Sequence, residues 1–258
     1  MKDFEVRPIE HRTAKPFIEH WHYSHNCPTG FNIFFGAFID GKLYAVADYG
    51  SGSNMDKGAN LARLTGCPVR TQEVTQKWLD DPHKNMNLNG LVVGPRNCLE
   101  LKRLCRQGEK GAAKIPLTRF LSICYRVLRR EHAVRGIVSY SDFGQLRTER
   151  VGTKWVVPPD LWPVGDAPSC GLVYQAANFQ YLGRTAPDTH TVRDAYLYPN
   201  PVQDSGEKDG EIVHRRVAYK EMKRRKKRGE VIELEAVRIE HGRVPIVTPP
   251  KERWFYWR

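Results

Sequence analysis

The chain has 258 residues, 40% of them hydrophobic, and 41 Lys and Arg against 29 Asp and Glu, for a formal net charge of +12. That length suits one large domain with appendages. No apolar run approaches the roughly 18 residues of a spanning helix, and Met1–Arg7 lacks the apolar stretch of a secretion signal, so no membrane partner and a cytoplasmic location are expected. The positive excess favours a polyanionic partner: nucleic acid or a phosphate-rich cofactor.

In chain order, Phe4–Ile9 alternates weakly and reads as a first strand, and Arg12–Trp21 reads as a short helix with Pro16 near its first turn. The stretch "FNIFFGAFIDGKLYAVADYG" gives two apolar runs about Asp40-Gly41, the dipeptide of a type I′ hairpin. Residues 50–60 form a Gly/Ser/Asn-rich loop and Thr71–Asp80 a helix. Leu99–Cys105 is a further strand. In Pro116–Glu131 the apolar Leu117, Phe120, Leu121, Cys124, Val127 and Leu128 recur at helical spacing. "RGIVSYSD", Arg135–Asp142, is a buried strand with a polar end, and "CGLVYQAANFQYLG" is a short helix, a turn and the start of another strand. The tail from Pro199 differs in composition: a turn-rich stretch, the basic run "KEMKRRKKRGE" and a closing aromatic cluster, "RWFYWR". It reads as an appendage packed on the main domain, which divides the chain into residues 1–198 and 199–258.

Two loops could carry chemistry. "HWHYSHNCP" (His20–Pro28) places three histidines, a tyrosine, a serine and a cysteine within nine residues. The spacing His20-x-His22-x-x-His25-x-Cys27 leaves a metal site, a catalytic loop and a polar turn all open, since no i, i+4 helical pair or closed ligand set is evident. "RQGEKGAAKIPLTRF" puts glycines and cations ahead of a helix N-terminus, an arrangement that binds phosphates. It is neither a Walker A motif nor G-x-G-x-x-G. The six cysteines include no C-x-x-C pair and read as reduced thiols.

The order strand, basic loop, helix, strand, helix, strand, with "YQAANFQYLG" last, resembles the GNAT acyltransferase fold. Within it, "HYSH", "ELKRL", "LTRFLS", "SYSD" and "YQAANFQYLG" fall in the order found in the Mom-type phage DNA-modification proteins, from about His20 to Gly183. The resemblance implies an α+β fold whose mixed, splayed central sheet is flanked by helices, here with a basic C-terminal appendage. It also implies transfer of a small acyl or carbamoyl-type, acetamide-like group to the N6 amine of adenine in DNA, which protects phage DNA from restriction. The host cytoplasm would be the location of a phage-encoded enzyme.

Carried over residue by residue, His22, Tyr23 and Ser24 match the active-site loop, Arg103 the strand arginine, Asp142 the aspartate closing "SYSD", and Tyr174 the helical tyrosine, a general acid for the departing thiolate. The implied donor is acetyl-CoA or a related acyl donor, held by Gln107, Gly108, Lys110, Gly111, Lys114, Thr118 and Asn178. Asp142 would accept or orient the proton of the weakly nucleophilic amine; an ion pair of Asp142 with Arg103 is the structural alternative. A base in double-stranded DNA must be flipped out, with Trp21, Tyr23 or Trp155 as stacking platforms and Lys223, Arg224, Arg225, Lys226, Lys227 and Arg228 along the phosphates.

Two departures bear on the substrate. The family's short "GH-x-G" link is replaced by an insertion at about 147–168 before Tyr174, and Ser169-Cys170-Gly171 stand where its histidine is expected. Thr118 replaces a usual serine and keeps the hydroxyl. The alternatives are therefore a transferase acting on another or already modified base, and a nucleic-acid-binding protein without activity. No metal requirement is legible.

Overall fold

The computed structural model describes residues 3–28, 32–50, 98–108, 115–132, 134, 136–142, 146–198 and 206–257. In chain order the elements are β1 (Glu5–Ile9), α1 (His11–Trp21), β2 (Asn32–Ile39), β3 (Lys42–Gly50), β4 (Cys98–Arg106), α2 (Leu117–His132), β5 (Gly136–Ser141), β6 (Glu149–Val151) and β7 (Lys154–Val156). A 3₁₀ turn at Pro159–Leu161 follows, then α3 (Leu172–Ala176), β8 (Gln180–Arg184), β9 (Asp188–Arg193), β10 (Ile212–Val213), α4 (Arg216–Lys226), α5 (Leu234–Glu240), β11 (Arg243–Thr248) and β12 (Glu252–Trp257). The expected loop at 50–60, beyond Gly50, and the expected helix Thr71–Asp80 lie outside the described residues. The other strands and helices expected up to Gly183 are present within a residue or two of their expected ends.

The chain forms two compact units, each of several segments: Met1–Ser141 with Cys170–Gly183 and Glu252–Arg258, and Asp142–Ser169 with Arg184–Lys251. The boundary expected at 198/199 is not where the structure divides. The insertion and most of the tail share one unit, while the aromatic end of the tail is a strand of the other.

The first unit is built on a seven-stranded sheet in the order β1-β2-β3-β4-β5-β12-β8. β2 and β3 meet at Asp40 (φ 51°) and Gly41 (φ 75°), both left-handed, as a type I′ turn requires. β4 and β5 pair in parallel over only four residues, Cys98–Leu101 against Gly136–Ser139. β4 continues to Arg106 and β5 to Ser141, so the two strands part there. The β3–β4 register also shifts at this level, between Asp48 and Tyr49. This bulge bends the ladder where the strands separate.

Both faces of the sheet are covered. Phe35, Ala47, Tyr49, Leu99, Leu101 and Ile137 pack against Phe120, Leu121, Cys124 and Leu128 of α2. On the other face, Ala14 and Ile18 of α1 meet Phe34, Val46 and Cys105. The aromatic tail is core: Trp254 and Phe255 are each 1% exposed, and β12 pairs antiparallel with β5 from Glu252↔Ser141 to Trp257↔Gly136.

A buried polar network locks this pairing to the start of α3. Trp254 Nε1–H donates to Ser141 Oγ at 2.9 Å, and Glu252, 0% exposed, accepts from Cys170 N–H and Sγ–H at 3.2 Å each. Gly171 follows at φ 73°, where a Cβ would lie 2.6 Å from Trp254 Nε1 and 2.9 Å from Ser141 Oγ. Gly171→Ala combines left-handed strain with overpacking of two buried partners. It is expected to destabilise the first unit by roughly 3 kcal/mol, read as a lower midpoint in chemical denaturation. An unchanged midpoint would show that the network is not held this tightly.

The second unit carries a three-stranded sheet, β10-β9-β11, and the two-stranded β6-β7. Val157, Val192 and Ile246 form its core, and Ala218, Met222, Ile232 and Val237 pack α4 with α5. Arg243, 2% exposed, is held by two bonds to the Glu207 carboxylate, at 2.6 and 3.0 Å.

Candidate active site

The N-terminal loop begins where α1 stops. His22 N–H caps Ile18 O at 2.9 Å, and the chain turns so that Ser24 faces back onto the ring: Ser24 N–H donates to His22 Nδ1 at 3.1 Å and Ser24 Oγ lies 2.8 Å from it. With Nδ1 accepting, the ring proton sits on Nε2. His22 is buried, and its ring lies 4.4 Å from that of Tyr23, centroid to centroid. Tyr23 is 44% exposed, and is the more accessible of the two. Across the sheet face, Arg103 Nε–H donates to Asn26 O at 3.0 Å and its Nη1 to Lys102 O at 2.7 Å. Arg103 therefore latches the loop to β4. The structure thus ties Arg103, through Asn26, to the loop that carries His22, Tyr23 and Ser24.

The spacing that could have held a metal does not converge. His25 Nδ1 binds Glu19 O at 2.8 Å, and among the described residues these side chains form no set of converging ligand atoms.

Sequence reasoning passed over Asp48. It stands opposite Arg103 in the β3–β4 register, is 0% exposed, and has no hydrogen-bond partner for either carboxylate oxygen among the described residues. Burial pushes its pKa up to about 7, and the nearby Lys102 and Arg103 only partly offset this. The same burial, with Asp48 beside it, raises the Cys27 thiol. The signal was legible: in "LYAVADYG" the aspartate falls on the strand face of Val46, which packs on α1.

A cavity of about 300 Å³ opens between α2 and the end of α3. Its walls include Thr118 and Ser122 of α2, Asn178 and Phe179 after α3, and the rings of Tyr125 and Tyr256. Two expected donor-binding residues some 60 positions apart, Thr118 and Asn178, thus share one cavity. Asn178 has φ 61°, which explains why asparagine or glycine suits this turn. Tyr174 is 9% exposed and packs against Phe179 and Trp254, with ring centroids 5.4 and 6.0 Å away. Gln107 N–H donates to Tyr44 O at 2.8 Å, and Gly108 lies beside the indole of Trp21. Lys110, Gly111 and Lys114 lie outside the described residues.

The remaining expected residues belong to the second unit. Asp142 is half-buried and pairs with Lys251 Nζ, at 2.9 Å from Oδ1 and 3.2 Å from Oδ2. Sequence reasoning weighed Arg103 as its counter-ion; in the structure Lys251 takes that role. Trp155 packs against the core of this unit, with Gly210 against its ring. Of the basic run, Arg225 pairs with Glu230 and Glu240, and Lys226 with Glu233 at 3.1 Å. Lys223 lies over the Tyr219 ring at 4.9 Å. Arg224, Lys227 and Arg228 are exposed.

The sheet order, the short parallel pairing of β4 with β5, and α2 joining them define a GNAT-like α+β protein. Within that class, residues 3–94 match the Mom protein family, the family to which the motifs pointed. A search of curated proteins returns no match. Among solved structures, the fold is similar to a serine-to-alanine variant of agmatine N-acetyltransferase in its apo form (11% identity, 99% of this chain and 100% of the other, TM-score 0.39). It is also similar to a polyamine N-acetyltransferase of Drosophila melanogaster (10% identity, 99% and 100%, TM-score 0.39). A third is the C-terminal condensation domain of Ebony in complex with beta-alanyl-dopamine (10% identity, 100% of both chains, TM-score 0.39). At this level of superposition the sheet topology, and not these structures, carries the fold assignment.

Proposed function

We propose that the protein is a transferase that moves a small acyl- or carbamoyl-type group from an acyl-CoA-type donor to the exocyclic N6 amine of adenine in double-stranded DNA, the N–C bond forming as the donor's C–S bond breaks and the thiolate leaves as thiol. The observation that carries this reading is the cavity between α2 and α3, shared by Thr118 and Asn178, in a chain whose residues 3–94 match the Mom protein family. The residues present fit such a donor. The α2 N-terminus offers backbone N–H groups to phosphate, Thr118 offers a hydroxyl, and Phe179, Tyr125 and Tyr256 give an apolar wall for a thioester arm. The donor supplies the activated acyl carbon when bound. Tyr23 is the exposed aromatic of the loop that Arg103 holds in place, suited to stacking on a flipped base. Asp142 is the carboxylate assigned to the amine proton. Arg224, Lys227 and Arg228 are assigned to the DNA backbone. In a phage this modification would shield DNA from restriction.

Nucleoside mass spectrometry on DNA from cells expressing the protein tests this, beside an Asp142→Ala control. A heavier deoxyadenosine present only with the intact protein is the expected result, and the added mass identifies the group. Added mass on another nucleoside would move the target base, the second reading that the insertion before Tyr174 favours. No new nucleoside with a stable, expressed protein would leave a nucleic-acid-binding protein and sink the transferase.

A further inference from the structure

In β9 the sequence "DTHT" places Asp188 and His190 on one strand face, two residues apart. β10 pairs antiparallel with β9 through Val213↔Thr191, so the next residue, His214, arrives opposite His190. The two imidazole centroids are 4.9 Å apart, and His190 Nε2 is 3.7 Å from Asp188 Oδ2. One donor atom from each of the three side chains lies within 4.8 Å of the other two. At bond lengths of about 2.0–2.2 Å to N and O, two donors on one ion stand at most about 4.4 Å apart, so the three atoms lie within about 0.4 Å of the span that closes on a single ion. We propose that Asp188, His190 and His214 form a binding site for a divalent transition-metal ion, with Zn²⁺ as the representative ion.

The surroundings agree with this assignment. Asp188 Oδ1 is already engaged, accepting Thr189 N–H at 2.8 Å, which orients the carboxylate and leaves Oδ2 toward the histidines. His214 is exposed, which gives an ion a way in from solvent. Its Nδ1 accepts Arg216 N–H at 3.0 Å; ligation through this ring sacrifices that one bond. Two nitrogens and one oxygen favour Zn²⁺ or Fe²⁺ over Mg²⁺ and Ca²⁺, which take oxygen ligands. Three protein ligands leave a further position open to water or another ligand. The site lies wholly in the second unit and does not depend on the transferase reading.

Calorimetric titration of the tag-free full-length protein with Zn²⁺, after removal of metal by chelation, tests the site. The expected result is one ion per chain, with affinity falling about 100-fold or more in His190→Ala and in His214→Ala, at least the loss typical of an outer-shell partner. Mg²⁺ should give no heat of binding. Co²⁺ should give visible absorption bands in the wild type that are absent in both variants. Because His214 is exposed, His214→Ala should keep the wild-type unfolding midpoint in chelator, which separates loss of a ligand from loss of the fold. Absence of Zn²⁺ binding by the wild type overturns the proposal. So does Zn²⁺ binding that persists unchanged in well-folded His214→Ala.

Discussion

Ser122→Trp is expected to abolish base modification while leaving the fold intact. Ser122 is exposed on α2 and lines the cavity that also contains Thr118 and Asn178. Replacing a hydroxymethyl with an indole there fills the space assigned to the thioester arm while keeping Phe120, Leu121 and Cys124, which carry the packing of this helix. Displacing a donor by even about 1 Å lowers rates on the order of 100-fold, so a blocked cavity should remove modified nucleoside at least to that extent. Binding of acetyl-CoA, followed by calorimetry, should be lost in parallel. Arg129→Trp makes the matching control: it lies on the same helix, is exposed, and is outside the cavity. If Ser122→Trp modified DNA normally, the donor would lie elsewhere, and the proposed use of this cavity would fail even if the activity were real.

Why the first unit was so readable follows from where its contacts lie. Asp40-Gly41 sets a hairpin from adjacent residues, and the α2 stripe is written in a single run of sixteen residues. Cross-strand and i, i+4 neighbours of this kind leave their period in the local sequence. The tail does not. "RWFYWR" reads as an aromatic cluster, but its meaning comes from Ser141 and Gly136, more than a hundred positions earlier, against which β12 pairs. A strand buried between β5 and β8 shows an unbroken apolar run rather than alternation, and such a run does not reveal its neighbours. β9 and β11 likewise meet from Arg193↔Arg243 to Asp188↔Thr248, and Val157 of the insertion packs with Ile246 of the tail, so the insertion and the tail look like separate pieces in sequence although they share one unit. The site divides in the same way. Thr118 and Asn178 were reached through family resemblance, because no local pattern ties two positions some 60 apart. Asp48 carried a local signal, a charged residue on a core-facing strand position, that motif matching passed over.

Asp48 also sets the clearest expectation for stability. A carboxyl whose folded-state pKa is about 7, against an ordinary 3.8, holds its proton in the folded chain while the unfolded chain releases it. Between those values the unfolded state binds fewer protons than the folded state, so stability falls as pH rises. The contribution is full below about 3.8, declines through the interval and is gone above about 7. At about 1.4 kcal/mol per pKa unit the loss amounts to roughly 4 kcal/mol at most. Asp48→Asn keeps the shape of the neutral acid and cannot ionise. Its stability relative to the wild type should therefore be near zero at pH 4 and should rise to a gain of a few kcal/mol at pH 8, read from urea midpoints across that range. The difference between the two proteins isolates this group from every other titration. A gap that does not change with pH would mean that Lys102 and Arg103 hold Asp48 ionised in the folded chain. The carboxylate would then be part of the latch on the His22–Asn26 loop and not a buried acid under strain. A widening gap with reduced base modification would instead show that this chain keeps a destabilising carboxyl next to Arg103 because the proposed reaction uses it.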